Sequence, residues 1–282
     1  VLTNIKKRTV FGVLAQRTKK VVMAHLKTLA DRSKVEVVTM DMWGPYRDAV
    51  KDTIPKAVII VDKFHVVRLA NFCLEQVRKG FRAGLEPKVR RRLMHDRFVL
   101  LRRQKDLKDE DKTKLEEWTK AFPELAEAHR LKEAFFAVYD SKTKQEAITA
   151  FEQWERSAGR DMLTAYKVLL TAMYNWKDHI FSYFDHRATN ALTEALNGIA
   201  KNIEREGRGY SFEAIRAKML FSKSFLKPAR RPKFGTEEAG RGTPAEVYGT
   251  TWGADIDALL SVETAAGQHE QSHFLPVEPR TD

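Results

Sequence analysis

A chain of 282 residues is long enough for one or two domains with sizeable cores, and its 50 Lys+Arg against 38 Asp+Glu leave a formal net charge of +12, which points to a polyanionic partner. A single cysteine, Cys73, excludes an intrachain disulfide and a cysteine-cluster zinc site and fits a reducing cytoplasm. No run reaches the roughly 18 apolar residues that a spanning helix needs, and no signal-peptide pattern opens the chain, so a soluble cytoplasmic protein without a membrane partner is expected. Val1 in place of an initiator methionine, within an apolar run, reads as the start of a fragment.

Residues 1–68 alternate strand and helix. VLTNI and TVFGVLA are β-branched runs around the polar KKR, a hairpin pattern. KKVVMAHLKTLADR carries Val22, Leu26 and Leu29 at helical spacing. VEVVTM then reads as a strand, PYRDAVKDTI as a helix opened by Pro45, and AVIIV as another strand. The order β-β-α-β-α-β predicts an α/β layer with a mixed sheet, antiparallel at first and then parallel. Asp41 and Asp62 close the last two strands, where carboxylates of an α/β sheet face a ligand crevice. Each also reads as the N-cap of the following helix.

Over residues 69–185 the strand pattern gives way to helix-period apolar faces, predicting an all-helical insertion domain. Leu115, Trp118, Leu125, Leu131, Phe135 and Tyr139 illustrate the stripe, and Pro123 breaks it into two helices. Arg90, Arg91, Arg92, Arg97, Arg102 and Arg103 form the best candidate basic patch. In residues 186–221 a helix from about Asn190 to Arg205 sets Asn190, Glu194, Asn197 and Lys201 on one face and Leu192, Leu196, Ile199 and Ile203 on the other. The polar face reads equally as a solvated surface. Arg205, Arg208 and Tyr210 flank the turn EGRGYS, placed to meet a polyanionic partner together with Lys201 or simply to solvate the turn. Residues 222–282, rich in Pro, Gly and charge, read as a flexible tail with one short helix in WGADIDALLSV.

Two aspartates at strand ends and a glutamate on a later helix are the raw material of a two-metal phosphoryl-transfer site, since hard oxygen ligands hold Mg²⁺ or Mn²⁺. The segment VTMDMWGPYRDAVKDTIPKAVIIVDKFHVVRLANFCLEQVRK, followed at a distance by TNALTEALNGIAKNIEREGRGYSFEAIRAKML, resembles the DDE transposases of the ISL3 insertion-sequence family. The likeness lies in an Asp-Met-x-x-x-Tyr segment, an Asp-x-Phe-His box and a Thr-Asn-x-x-x-Glu-x-x-Asn helix.

That resemblance implies an RNase H-like core interrupted by a helical insertion. Asp41 would be the second catalytic acid and Glu194 the third, both on the metal, with Asp62 and His65 as an adjoining box and Asn190 and Asn197 supporting Glu194. A competing assignment makes Asp62 the second acid. It also implies double-stranded DNA as partner (transposon inverted repeats and target), a homo-oligomer, and a site of action at the bacterial nucleoid. The family's first acid would precede VLTNI, and no acidic residue stands before Asp31. The chain is therefore expected to be inactive alone. Two other classes stay open: a non-catalytic DNA-binding or assembly module, from a decayed or repurposed transposase, and an RNase H-like nuclease of another target.

Overall fold

The computed structural model describes residues 1–222. The expected tail helix in WGADIDALLSV and the chain from 223 onward lie outside the described residues.

The short β-branched runs pair with their nearest neighbours. β1 (Leu2–Asn4) and β2 (Thr9–Gly12) make the expected antiparallel hairpin, and Asn4 Oδ1 accepts the Lys7 N–H at 2.9 Å in its turn. α1 (Lys19–Lys27) begins at Thr18, whose hydroxyl accepts from the Val21 N–H. β3 (Val37–Met40), α2 (Gly44–Thr53, with Pro45 in its first turn) and β4 (Val58–Val61) form a parallel crossover unit, in register from Val37 with Val58 to Met40 with Val61. Val22, Leu26, Met40, Val50, Ile54 and Ile59 bury together, so α1 and α2 cover one face of that pair. The N–H groups of Val58 and Asp62 bond the Glu36 and Met40 carbonyls. Ile59 therefore turns its backbone to the outer edge, where the His179 side chain bonds it.

The four strands correct one expectation. Instead of one mixed sheet they form two two-stranded sheets, β1 with β2 and β3 with β4. No ladder hydrogen bond joins β1 to β3 among the described residues.

After Val61 the described residues are helical or irregular. α3 (Lys63–Gly80) runs unbroken across the expected 68/69 boundary, so a helix rather than a loop leads out of the strand-bearing part. α4 (Pro87–His95), α5 (Arg97–Leu101), α6 (Asp109–Ala121), α7 (Pro123–Val138), α8 (Lys144–Ser157), α9 (Arg160–Ala165), α10 (Lys167–Asn175) and α11 (Lys177–His186) follow. Pro123 separates α6 from α7 as its missing N–H requires. Leu125, Leu131 and Phe135 on α7 are wholly buried. The polar tips of the neighbouring aromatics are satisfied: Trp154 Nε1 donates to the Leu131 carbonyl at 2.8 Å, and the Tyr166 hydroxyl to that of Ala128 at 2.6 Å.

A buried cation also sits on α7. Lys132 Nζ donates to the carbonyls of Leu100 and Arg102 at 2.9 and 2.8 Å, faces His129 Nε2 at 3.3 Å and pairs with Glu133 at 2.5 Å. Burial, aided by the Lys132 charge, lowers the His129 imidazole to about 3. The unfolded chain protonates near the ordinary value of 6.5, so it takes up the proton first on acidification. The stability held above that value is lost as pH falls through it and on toward 3, by roughly 1.4 kcal/mol per pH unit. Urea unfolding at pH 7.5 and 5.0 should show this loss, and His129→Gln should flatten it. An identical slope in the variant would count against a neutral His129.

The return to the strand-bearing part is made at Arg187. It adopts a left-handed conformation (φ 52°) and ends α11, its N–H bonding the Tyr183 carbonyl. Its guanidinium lies over Tyr183 and Phe184 and donates to the carbonyls of Ser141 and Lys142, both at 2.7 Å. These contacts offset the roughly 1–2 kcal/mol of a left-handed residue with a Cβ. α12 (Ala191–Glu206) and α13 (Phe212–Phe221) follow. Leu196, Ile203 and Met219 pack on Val13 beside β2, with Leu192 and Ile199 at the margin, so the apolar face read from sequence covers the hairpin.

Candidate metal centre

Asp41 follows β3 and Asp62 follows β4, yet the two carboxylates are used differently. α3 starts at the residue after Asp62, so Asp62 caps it: Oδ1 accepts the Phe64 N–H at 2.8 Å and Oδ2 the Asn190 N–H at 2.6 Å. Asp62 is 0% exposed. Burial pushes its carboxyl above the usual range, against the pull of those two N–H groups. α2 starts later after its strand and is capped from Trp43, leaving the Asp41 side chain 43% exposed. Asp41 Oδ1 accepts from Asn190 Nδ2 at 2.7 Å.

His65 and Glu194 complete the group. The Asp-x-x-His spacing sets His65 in the first turn of α3, and Glu194 lies in the first turn of α12. His65 Nε2 is 3.3 Å from Asp41 Oδ1, and Nδ1 is 3.6 Å from Glu194 Oε1. One ligand atom from each of Asp41, His65 and Glu194 lies within 4.8 Å of the others. Burial raises the Glu194 carboxyl, with His65 pulling the other way. Gathering these carboxylates in a partly buried site is unfavourable without a counter-charge, and a cation supplies one.

The donor set fits a divalent ion. Two carboxylates suit Mn²⁺ or Mg²⁺, and an imidazole nitrogen is a common additional ligand. His65 Nδ1 is buried without a hydrogen-bond partner among the described residues. Sequence reasoning placed His65 beside the site rather than on the ion. The Asp-x-x-His spacing puts the ring in the first turn of α3, 3.3 Å from Asp41 and 3.6 Å from Glu194.

Other expected residues stand apart from the cluster. Asn197 Oδ1 accepts from the Val1 amino group at 3.0 Å. Lys201, Arg205 and Arg208 are exposed farther along α12 and in its turn. On α4, Arg90 and Arg91 are exposed, whereas Arg92 pairs with Glu117 and lies over Trp118. Arg102 pairs with Asp111 at 3.1 Å and Arg103 with Asp140 at 2.6 Å, so half of the expected basic patch is neutralised within the chain. Arg187, which fixes the approach to Asn190, was not singled out by any sequence pattern.

The family model for ISL3-type DDE proteins, described as "Transposase", matches residues 1–219. The chain belongs to the ISL3 transposase family. It is similar to the transposase for insertion sequence element IS1001 of Bordetella parapertussis, at 22% identity over 180 residues. That alignment covers 63% of this chain and 44% of the relative, so the chain spans less than half the length of the curated relative it matches. No solved structure matches. The ISL3 transposase match contains Asp41, Asp62, His65, Asn190 and Glu194 together. No helix among the described residues of this transposase chain is long and apolar enough to cross a membrane.

Proposed function

We propose that this chain carries part of an RNase H-like catalytic core that cuts transposon ends and joins the freed 3′-OH to target DNA. The observation that carries the proposal is the convergence of Asp41, His65 and Glu194, from the end of a parallel strand, the next helix and a far later helix, on one potential cation site. A hairpin followed by a parallel pair with one crossover helix supports the core reading. Residues 69–185 form the insertion domain in this scheme, between the core segments 1–68 and 186–221.

When bound, Mg²⁺ or Mn²⁺ would lower the pKa of the attacking hydroxyl and stabilise the leaving oxygen of an in-line displacement. Asp41 and Glu194 are the carboxylates that hold it, and His65 lies between them. Asp62, Asn190 and Asn197 support that arrangement. The exposed Arg90, Arg91, Lys201, Arg205 and Arg208 contact phosphates without reading sequence, giving salt-dependent affinity for double-stranded DNA. The assembly is a homo-oligomer acting on the bacterial chromosome.

Excision of a marked insertion element, in cells supplied with the gene that encodes this chain, tests the assignment. Asp41→Ala and Glu194→Ala should each lower excision on the order of a thousandfold or more, as expected for loss of a metal-held carboxylate. Excision at the parental rate in either variant would remove that residue from the catalytic set. A second reading is a non-catalytic DNA-binding or assembly module, for which the exposed Arg90, Arg91, Lys201, Arg205 and Arg208 would suffice. Such a module would bind DNA without a divalent ion and cut none. Mn²⁺-dependent nicking by the purified chain, lost on Glu194→Gln, would contradict that reading.

A further inference from the structure

Asn190 departs from what its position favours. An asparagine at a helix N-cap ordinarily turns its side-chain oxygen onto the N–H of the second or third helical residue. Asn190 occupies the N-cap of α12 and makes no such bond. Its main-chain N–H donates to Asp62 Oδ2 at 2.6 Å, and its Nδ2 donates to Asp41 Oδ1 at 2.7 Å. One residue thus joins the ends of β3 and β4 to a helix that begins 149 and 128 positions later. It is 5% exposed, and its Oδ1 is buried without a partner among the described residues.

An unpaired buried amide oxygen costs stability. With φ −95° and ψ 16°, Asn190 is not in the extended conformation from which a side chain caps a helix, and its N–H is taken by Asp62. The contact it makes instead falls on a carboxylate of the candidate metal centre, and local rules of this kind are broken mainly at functional sites. We infer that Asn190 is the positioning residue of Asp41. Its Nδ2 holds the carboxylate toward His65 and Glu194, and Asp62 acts at a distance by holding the Asn190 main chain and the start of α3. The family resemblance implies that Asn190 supports Glu194; its hydrogen bonds direct it to Asp41. This inference rests on the metal-centre reading above. Hydrogen-bond partners of ligating carboxylates set ligand orientation, and losing one lowers metal affinity by about 10- to 100-fold.

The test is a Mn²⁺ titration of the full 282-residue chain, following free Mn²⁺ by electron paramagnetic resonance, beside urea unfolding of each variant. Wild type should bind and Glu194→Gln should bind far more weakly. Asn190→Ala keeps the main-chain bond to Asp62, so it should lose about 10- to 100-fold in affinity while its unfolding midpoint stays closer to wild type than that of Asp62→Ala. Binding within twofold of wild type overturns the inference and leaves the metal centre standing. A loss of stability as large as in Asp62→Ala overturns it too, because Asn190 would then be a structural tie. If Asn190→Ala does not fold, Asn190→Ser, which retains a small capping hydroxyl but cannot present the amide, decides by the same criteria. If wild type and Glu194→Gln bind Mn²⁺ alike, the metal-centre reading itself fails.

Discussion

Lys132→Met is expected to lower the unfolding free energy by about 2–4 kcal/mol in urea titrations at neutral pH, since two carbonyls lose their donor and the partly exposed Glu133 loses its counter-charge. Methionine matches the volume of lysine but replaces none of its hydrogen bonds. The carbonyls of Leu100 and Arg102, at the end of α5, would lose their donor, and Glu133 would lose its counter-charge. Burial lowers the Lys132 ammonium to about 8, with Glu133 opposing that shift, so the charge is still present at pH 7 and the cage is intact there. Adding Glu133→Gln to Lys132→Met should recover part of the loss, which separates the charge pair from the carbonyl bonds. A loss under about 1 kcal/mol in the single variant would mean the carbonyls find other partners.

Asp62→Ala is expected to cost roughly 2–5 kcal/mol, since it strands two main-chain donors, Phe64 N–H at the start of α3 and the buried Asn190 N–H at the start of α12. The outcome should fall in the lower half of that range. The carboxyl is pushed up by its own burial, and removing it returns some of that unfavourable desolvation. Asp62→Asn retains one acceptor oxygen and should cost less than Asp62→Ala. Equal losses in the two variants would show that charge, rather than the acceptor count, matters at this position. Urea midpoints of both proteins measured side by side decide between these outcomes.

Element order was legible in the sequence because it rests on local pattern. The β-branched runs, the stripe from Leu115 to Phe135 and the opposed faces of α12 all appear where periodicity placed them. The roles of Asp41 and Asp62 were not separable, because both end apolar strands ahead of helices and both satisfy the same capping rule. What parts them is the start of the next helix: α3 begins at Lys63, directly after Asp62, whereas α2 is capped from Trp43. The basic patch was overread for a different reason. Arg92 and Arg103 pair with Glu117 and Asp140, 25 and 37 positions on and outside any local window, while Arg102 pairs with the nearer Asp111. Likewise the split into two strand pairs is a matter of long-range pairing, which periodicity does not report.

The packing of α12 and α13 on the first hairpin has a consequence for synthesis. β1 and β2 leave the ribosome early, while Leu196, Ile203 and Met219, which cover Val13, are translated near the end of the described chain. At about 5–20 residues per second that interval is on the order of ten seconds or more. A two-stranded hairpin is marginal in water, so the apolar face of β1 and β2 waits for its helical cover while α3 to α11 form behind it. The carboxylate of Glu194 arrives on the same helix that closes the hairpin. Chains released before α12 therefore lack both the cover of the hairpin and Glu194, so among the described residues α12 and α13 bring the packing and the third ligand of the Asp41, His65 and Glu194 group together.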